Sequence, residues 1–447
     1  MKLWDKNIET EKAVLSFTTG RDPEFDPLIA PWDILGSMAH SIMLAETGLI
    51  GKKEAKELVS ALAGLYPRAV KGEYRLEEGM EDIHSQVEAD LTAILGEAGK
   101  MVHTGRSRND QVLLDMKLFL RDSIYRLSSQ ISLLFGTLME QSDRYREILL
   151  PGYTHFQVAM PSSFGLWFAS HAEALAEDLL LLKGVYDFAD QNPLGSAAGY
   201  GSSFPIDREM TTRLLGFRAM HINSVNAQMA RGRTELFTAF GLAAVAETLA
   251  RLAMDSVLYL NQNFAFISFP EKLTTGSSIM PHKKNPDVLE LIRGKANRIV
   301  HLPAQVSAVT GNLPSGYHRD LQLLKEIIFP AMTDIEDCLM MMDLMMKNIE
   351  VKKDILEDER YRYIYSVEEV NEKVIKGVPF RDAYKEVAQE IFSGRYRPGR
   401  EHRYTHTGSI GNPGNEMIRM KMEEAMSRFS FIPGEKLFEE LSTYFEK

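Results

Sequence analysis

Three stretches of this 447-residue chain place anion-binding and proton-moving groups where the surrounding pattern is apolar. Polar groups in such positions are costly to bury idle, so each stretch is a candidate for chemistry. The first, His103-Thr104-Gly105-Arg106-Ser107-Arg108-Asn109-Asp110, sets two guanidinium groups, hydroxyls and an amide immediately ahead of a helical stripe that starts at Val112. A helix start favours an anion, and guanidinium groups match carboxylate geometry. The same residues also read as a solvated loop closed by an Asp110 cap, and both readings can hold together. The second stretch is Gly152-Tyr153-Thr154-His155-Phe156-Gln157, between Pro151 and Pro161. Histidine titrates near neutrality and can donate or accept a proton, while Thr154 and Gln157 offer hydrogen bonds to substrate carboxylates. Taken alone, His155 also fits a satisfied core histidine. The third, running from Gly276 through Ser277, Ser278, His282, Lys283, Lys284 and Asn285 to Pro286, joins a flexible loop to two ammonium groups and an amide ahead of another helix. Those donors can stabilise charge developing on a carboxylate while a mobile serine reaches the substrate. The spacing of a phosphate-binding loop is absent, which discounts nucleotide hydrolysis.

The elements that must position these groups are helical. Leu120, Ile124, Leu127, Ile131, Leu134 and Leu138 recur at steps of three and four residues, the period of one helix face. Similar stripes run through Ala169 to Val185, Leu236 to Leu260, Leu289 to Val300 and Ile327 to Met346, and nothing comparable alternates with period two. Long helices sharing apolar faces predict a bundle, and hence an all-α fold. Turn residues at Asn192 to Gly195, Gly199 to Gly201, Gly276 to Ser278 and Asn312 to Gly316 mark the loops where chemistry can sit. Before Gly105 the stripes are shorter and broken by proline and glycine, and after about Val351 the chain turns highly charged and then glycine-rich. The expected units are therefore 1–109, 110–350 and 351–447. The Met-rich segment Cys338 to Met346 reads as core packing rather than a cofactor site. The polar, glycine-rich segment Tyr404 to Asn412 reads as a surface loop or a mobile lid, with no assigned role.

Composition narrows the function. The apolar share of 45% and charged share of 25% are those of an ordinary globular protein. One cysteine, Cys338, excludes an intrachain disulfide framework and a cysteine-based zinc cluster, and fits a reducing compartment. The charged opening MKLWDKNIETEK lacks the apolar core of an export signal, so the expected location is cytoplasmic. Leu236 to Leu260 is interrupted by Glu247, Arg251 and Asp255 and is expected to be a buried helix rather than a membrane span. A net charge of -11 argues against binding nucleic acid through its phosphates. An anionic substrate must meet a local positive patch.

The GSSIMPHKKNP run at 276–286 resembles the signature of the fumarase, aspartase and argininosuccinate lyase superfamily. HTGRSRNDQV at 103–112, GYTHFQVAMP at 152–161 and GVPFRDA at 377–383 resemble the branch that holds the argininosuccinate lyases and the δ-crystallins derived from them. The resemblance covers nearly the whole chain in order. It implies three helical domains, with the central bundle forming the core of a homotetramer and each active site drawing on three chains. It also implies an anti β-elimination that splits argininosuccinate into L-arginine and fumarate, as the last step of arginine biosynthesis. That reaction calls for no metal and no organic cofactor, because the substrate's own carboxylate accepts the charge.

By the same resemblance, Ser277 matches the catalytic base, with Ser278 beside it, and Lys283 and Asn285 match the groups that stabilise the dianionic aci-carboxylate. His155 matches the catalytic histidine and Glu290 the carboxylate that orients it; protonation of the leaving nitrogen falls to His155 or to water. Ser107, Arg108, Asn109 and Thr154 match positions that hold substrate carboxylates, and Tyr317, Gln322 and Lys325 match downstream contacts. Arg319 stands where lysine is common, and His84 matches a further histidine near the site, with a structural role equally open. Two departures lie away from the chemistry: the opening KLWDKNIETEK, and Arg231-Gly232 in place of Arg-Asp. His282 is commoner in adenylosuccinate lyases, which makes that activity the enzymatic alternative. HTGRSRNDQV and the lack of a phosphate site oppose it. A non-catalytic, δ-crystallin-like structural role is the other alternative, opposed by the intact Ser277, Lys283 and His155.

Overall fold

In the computed structural model of the chain, which describes residues 12–397, 399 and 404–446, the first cluster is the start of a helix. That helix spans Arg108–Arg144 and begins four residues earlier than its apolar stripe predicts. The cap is Ser107, whose hydroxyl accepts from the Asn109 N–H at 3.2 Å, while Asp110 Oδ1 accepts from the Ser107 N–H at 2.9 Å. Asp110 is thus the reciprocal member of a capping box rather than the cap itself. Two orphan N–H groups satisfied in this way let the helix reach back into the polar run.

Around this helix pack Phe164–Ala189, Ser224–Leu260 and Leu324–Lys347, with Asp287–Ile299 and Leu302–Thr310 lying chiefly against Ser224–Leu260. The architecture is all-α, as periodicity predicts. The stripe residues Leu120, Ile124, Leu127, Ile131, Leu134 and Leu138 are all buried. Cys338, Met342, Met345 and Met346 are buried in the same core. Ala30–Glu46 and Lys52–Val70 pack on one end of the bundle. The last two helices return to it: Asn415–Ser427 lies along Phe164–Ala189, and Gly434–Ser442 lies on Ala30–Glu46 and Lys52–Val70. Between them, Ser366–Ile375 and Phe380–Phe392 enclose a small separate core of Val370, Ala383, Val387 and Tyr396. The opening segment 2–11 lies outside the described residues.

The Ser224–Leu260 helix is long and apolar enough by length and composition to cross a membrane, yet half of its most apolar stretch is buried in the chain's own core. It is also broken. Arg231 (φ -64°, ψ 132°) and Gly232 (φ 82°, ψ -38°) leave the helical region. The break is held from inside: the Gly232 N–H donates to Glu235 Oε2 at 2.7 Å, Arg231 Nε lies 2.9 Å from Glu235 Oε1, and Arg231 Nη2 donates to the Leu321 carbonyl at 3.1 Å. A Cβ on residue 232 would stand 2.6 Å from Thr310 Cγ2. Left-handed backbone and lack of space both demand glycine, which accounts physically for the Arg-Gly pair. Gly232→Ala is expected to cost about 1–3 kcal/mol of stability. Urea unfolding measures it, and an unchanged midpoint would contradict the close contact with Thr310.

Candidate active site

The helix start at Arg108 and the segment Tyr317–Lys325 meet over Asp22, Asp26 and the entry to helix Ile83–Leu95, enclosing a cavity of ≈ 350 Å³. Of the predicted residues, Arg108, Asn109, Tyr317 and Gln322 line it, as do Lys325, Arg319 and His84. Ser107 adjoins this wall as the helix cap. Arg108 is fixed from several sides: it donates to Gln111 Oε1 at 3.0 Å and Ser85 Oγ at 3.3 Å, and pairs with Asp82 at 3.4 Å. Asp82 itself caps helix Ile83–Leu95 by accepting from the Ser85 N–H at 2.8 Å. Burial opposes ionisation of Asp82, but Arg108 and His84 outweigh it and the carboxyl lies below its ordinary range.

The other cations of the wall are engaged. Lys325, 4% exposed, is paired with both Asp22 and Asp26. Burial pushes Asp22 up to about 6 against the pull of the Lys325 ammonium. Arg319 pairs with Glu81 at 3.1 Å and donates to the Thr18 carbonyl at 2.7 Å, and Gln322 donates to the carbonyls of Thr18 and Thr19 at 3.1 and 2.9 Å. These contacts tie the N-terminal segment to the cavity rim. Lys325 and Gln322 therefore carry structural work that their sequence positions do not disclose.

Behind the wall sits a buried polar network. His84 Nδ1 is hydrogen-bonded to Asp33 Oδ1 at 3.1 Å and lies 3.3 Å from Asp115 Oδ2, without hydrogen-bond geometry to the latter. Gln111 Nε2 donates to Asp33 Oδ1 at 2.6 Å. Asp33, His84 and Asp115 are close enough to share a cation. Arg106, buried beside them, acts on both carboxylates with its own positive charge, so the cluster's chemistry is that of an ion-pair network. Burial opposes the charge on Asp33, but His84 and Arg106 hold it at about 2. Burial and the neighbouring Asp33 charge push Asp115 well up. Sequence reasoning missed Asp33, Gln111 and Asp115. The signal was there: each is a charged or amide residue on the buried face of a helix, Asp33 in Ala30–Glu46 and the other two in Arg108–Arg144.

The second cluster lies elsewhere, at the tip of a hairpin formed by Leu149–Thr154 and Gln157–Ser163, with Thr154 paired to Gln157. The two turn residues are His155 (φ 53°) and Phe156 (φ 56°), both left-handed where such turns favour Asn-Gly. Thr154 and His155 are exposed, and Phe156 is 77% exposed. His155 is thus no core histidine.

The third cluster is a second exposed hairpin, with Thr275–Gly276 paired to Lys284–Asn285. Ser277 Oγ accepts from the N–H groups of Met280 at 3.1 Å and Ile279 at 3.4 Å, and Asn285 Nδ2 donates to the Gly276 carbonyl at 3.2 Å. Ser278 and Lys283 are exposed beside Ser277, and Glu290 is exposed in the first turn of helix Asp287–Ile299. None of His155, Ser277, Lys283 or Glu290 lines the cavity. Within one chain the three clusters remain apart.

A family profile described as Lyase matches residues 7–301. The chain is 53% identical to the argininosuccinate lyase of Parabacteroides distasonis over 430 residues, 96% of each protein. It is 38% identical to that of Thermotoga neapolitana over 389 residues, 87% of this chain and 98% of the relative. The chain belongs to the argininosuccinate lyase family. Among solved structures, an EDDS lyase variant with bound fumarate matches with a TM-score of 0.73 at 20% identity, covering 98% of this chain and 93% of that one. A class II fumarase from Schistosoma mansoni matches at 0.71 with 16% identity, covering 96% and 93%. These structural likenesses establish a shared fold.

The loop that carries the family's HTGRSRND block is itself anchored by a histidine. His40, fully buried, shares a hydrogen bond of 2.8 Å between Nε2 and the Thr104 carbonyl, which makes Nε2 the donor. Burial, reinforced by Arg106, pushes His40 down from 6.5 to about 3. The unfolded chain takes up this proton first, so the stability that neutral His40 confers is complete above pH 6.5 and is lost as pH falls toward 3. The expected slope is about 1.4 kcal/mol per pH unit for this one proton. Urea midpoints at about pH 7 and about pH 5 check it, and a flat profile across that window would count against the buried neutral histidine.

Proposed function

We infer that this chain catalyses the anti β-elimination of argininosuccinate to L-arginine and fumarate. The observation that carries the reading is Ser277 Oγ on its exposed loop, facing two backbone N–H groups, in a chain that belongs to the argininosuccinate lyase family over almost its whole length. A serine hydroxyl is a poor base, and two N–H donors at its oxygen stabilise the alkoxide that abstracts a proton. Loop closure would exclude water and strengthen that stabilisation. Gly276 has nothing within 4 Å of its Cβ position, so no side chain packs over the start of this loop.

In this reading Ser277 takes the proton beside the carboxylate, and Lys283 and Asn285 meet the resulting dianion, each donor being worth about 3 to 4 kcal/mol. His155, oriented by Glu290, faces the departing guanidino nitrogen directly or through water. Ser107, Arg108, Asn109 and Thr154 hold carboxylates, with Tyr317, Gln322 and Lys325 on the far side of the cavity. Because the three clusters sit apart in one chain, the reading places them together across subunits of a homotetramer, three chains to a site. Apolar side chains more than half exposed on three bundle helices, Leu133, Leu291 and Met340, support such an assembly. The divisions near 109 and 350 and a cytoplasmic location belong to the same reading.

Fumarate absorbance on adding argininosuccinate tests the activity, with adenylosuccinate in parallel. Fumarate from argininosuccinate alone is expected, with Ser277→Ala lowering kcat by at least about a thousandfold. Release from adenylosuccinate instead would overturn the substrate assignment. Shared sites make a second prediction. Ser277→Ala and His155→Asn proteins, each inactive alone, should regain about a quarter of the sites when unfolded together and reassembled. A mixture as inactive as its components would refute sites built from different chains.

A further inference from the structure

The buried network behind the cavity bears on which half of the substrate His84 can meet. The His84 ring lines the cavity and turns Nδ1 inward, to Asp33 Oδ1 at 3.1 Å. Where the proton sits on Nδ1 and points at that carboxylate, Nε2 is the ring's other polar atom, and in that tautomer it carries a lone pair. Asp33 also accepts from Gln111 at 2.6 Å, and Gln111 in turn accepts from Arg108 at 3.0 Å. One buried carboxylate therefore fixes both the imidazole and the guanidinium on this wall.

Resting on the activity proposed above, we propose that His84 Nε2 accepts a hydrogen bond from the arginine half of the substrate, and that Asp33 is the positioning residue that sets this tautomer. The chemistry of the substrate makes the choice. The succinate half presents carboxylates, which offer Nε2 no proton, whereas every N–H of the molecule belongs to the arginine half. Carboxylates on that wall are met by donors, Arg108 and Asn109, not by a lone pair. Among the described residues, Asp33 and Asp115 lie behind His84, Asp82 stands at the start of its own helix, and His103 shares the cavity wall with it. Of the two carboxylates near Nδ1, only Asp33 has hydrogen-bond geometry to it, and both oxygens of Asp115 lack a hydrogen-bond partner among the described residues. That asymmetry makes Asp33 the orienting group.

Competitive inhibition of the assembled wild-type enzyme by L-arginine and by succinate separates the two halves. His84→Asn keeps an N–H near the Nδ1 position for Asp33 and removes Nε2, so it retains the buried pairing. It should weaken arginine inhibition about tenfold while moving succinate inhibition less than about threefold. His84→Gln, which returns a polar atom near the Nε2 position, should recover part of the loss. Asp33→Asn should raise KM for argininosuccinate more than it lowers kcat, and should weaken arginine inhibition more than Asp115→Asn does. Loss of succinate inhibition with arginine unaffected would overturn the proposal, since it would make His84 a carboxylate donor. So would equal effects of Asp33→Asn and Asp115→Asn. Fumarate production by the wild type tests the activity itself, so failure of that reading and failure of this contact appear in different measurements.

Discussion

Asp110 is the constraint on which the arrangement of the first cluster depends. Its Oδ1 closes the capping box at Ser107, and its Oδ2 accepts from the N–H groups of Gly195 at 3.0 Å and Ala197 at 2.8 Å. Burial pushes the carboxyl up to about 6, against the pull of those N–H groups, so near neutral pH it is held as an anion. A charge that deep is tolerable only with its oxygens filled, and here backbone donors fill them. The consequence is positional: the helix start, and with it Arg108 and Asn109, is locked to the loop that follows Phe164–Ala189.

The same helix repeats this device along its inner face. Lys117 donates to the Phe188 carbonyl at 2.7 Å and to Thr234 at 3.2 Å, and burial lowers it to about 7. Arg121, one turn on, pairs with Asp190 at 3.1 Å and donates to the carbonyls of Leu215 and Gly216 at 2.9 and 3.0 Å. Replacing such groups with apolar ones of similar volume is often neutral for stability, whereas removing one partner is costly. What they add is register: each holds a loop end that apolar packing would leave free to slide. Asp115 belongs to the same face and to the His84 network, so the bundle interior and the cavity wall form one connected polar system.

Much of this was legible from residue order. Helical period marked every long bundle helix, and the three polar runs stood out because they broke it. Other features depended on tertiary context. The helix start moved to Arg108 because a capping box overrode the apolar stripe as a boundary signal. Arg231-Gly232 read as a harmless departure, yet its left-handed glycine breaks a long helix beside the cavity. Lys325 and Gln322 read as contacts for substrate, but their partners, Asp22, Asp26 and the carbonyls of Thr18 and Thr19, lie some 300 residues away in sequence. Periodicity cannot report such pairings. That the three clusters stand apart within one chain was likewise beyond it, and was expected only from the family resemblance.

The two exposed hairpins differ in backbone in a way that fits the separate tasks the proposed reaction gives them. His155 and Phe156 occupy consecutive left-handed positions, each costing about 1–3 kcal/mol for a residue with a side chain. Such a turn persists only where the strands below over-determine it. Here a bulge between Pro151 and Tyr153, the close approach of Gly152 to the Met160 carbonyl, the packing of Tyr153 on Phe264 and the hydrogen bond between the Tyr153 and Tyr361 hydroxyls supply that support. The Ser277 loop has the opposite character: its strands are two residues long, and its glycine has open space on the side-chain face. In the proposed reaction the imidazole must already stand at the leaving nitrogen when the carbon acid gives up its proton, whereas the base must arrive after the substrate has entered. A strained, braced turn suits the first task and an unbraced loop the second, so the contrast in backbone follows the order of events in the chemistry.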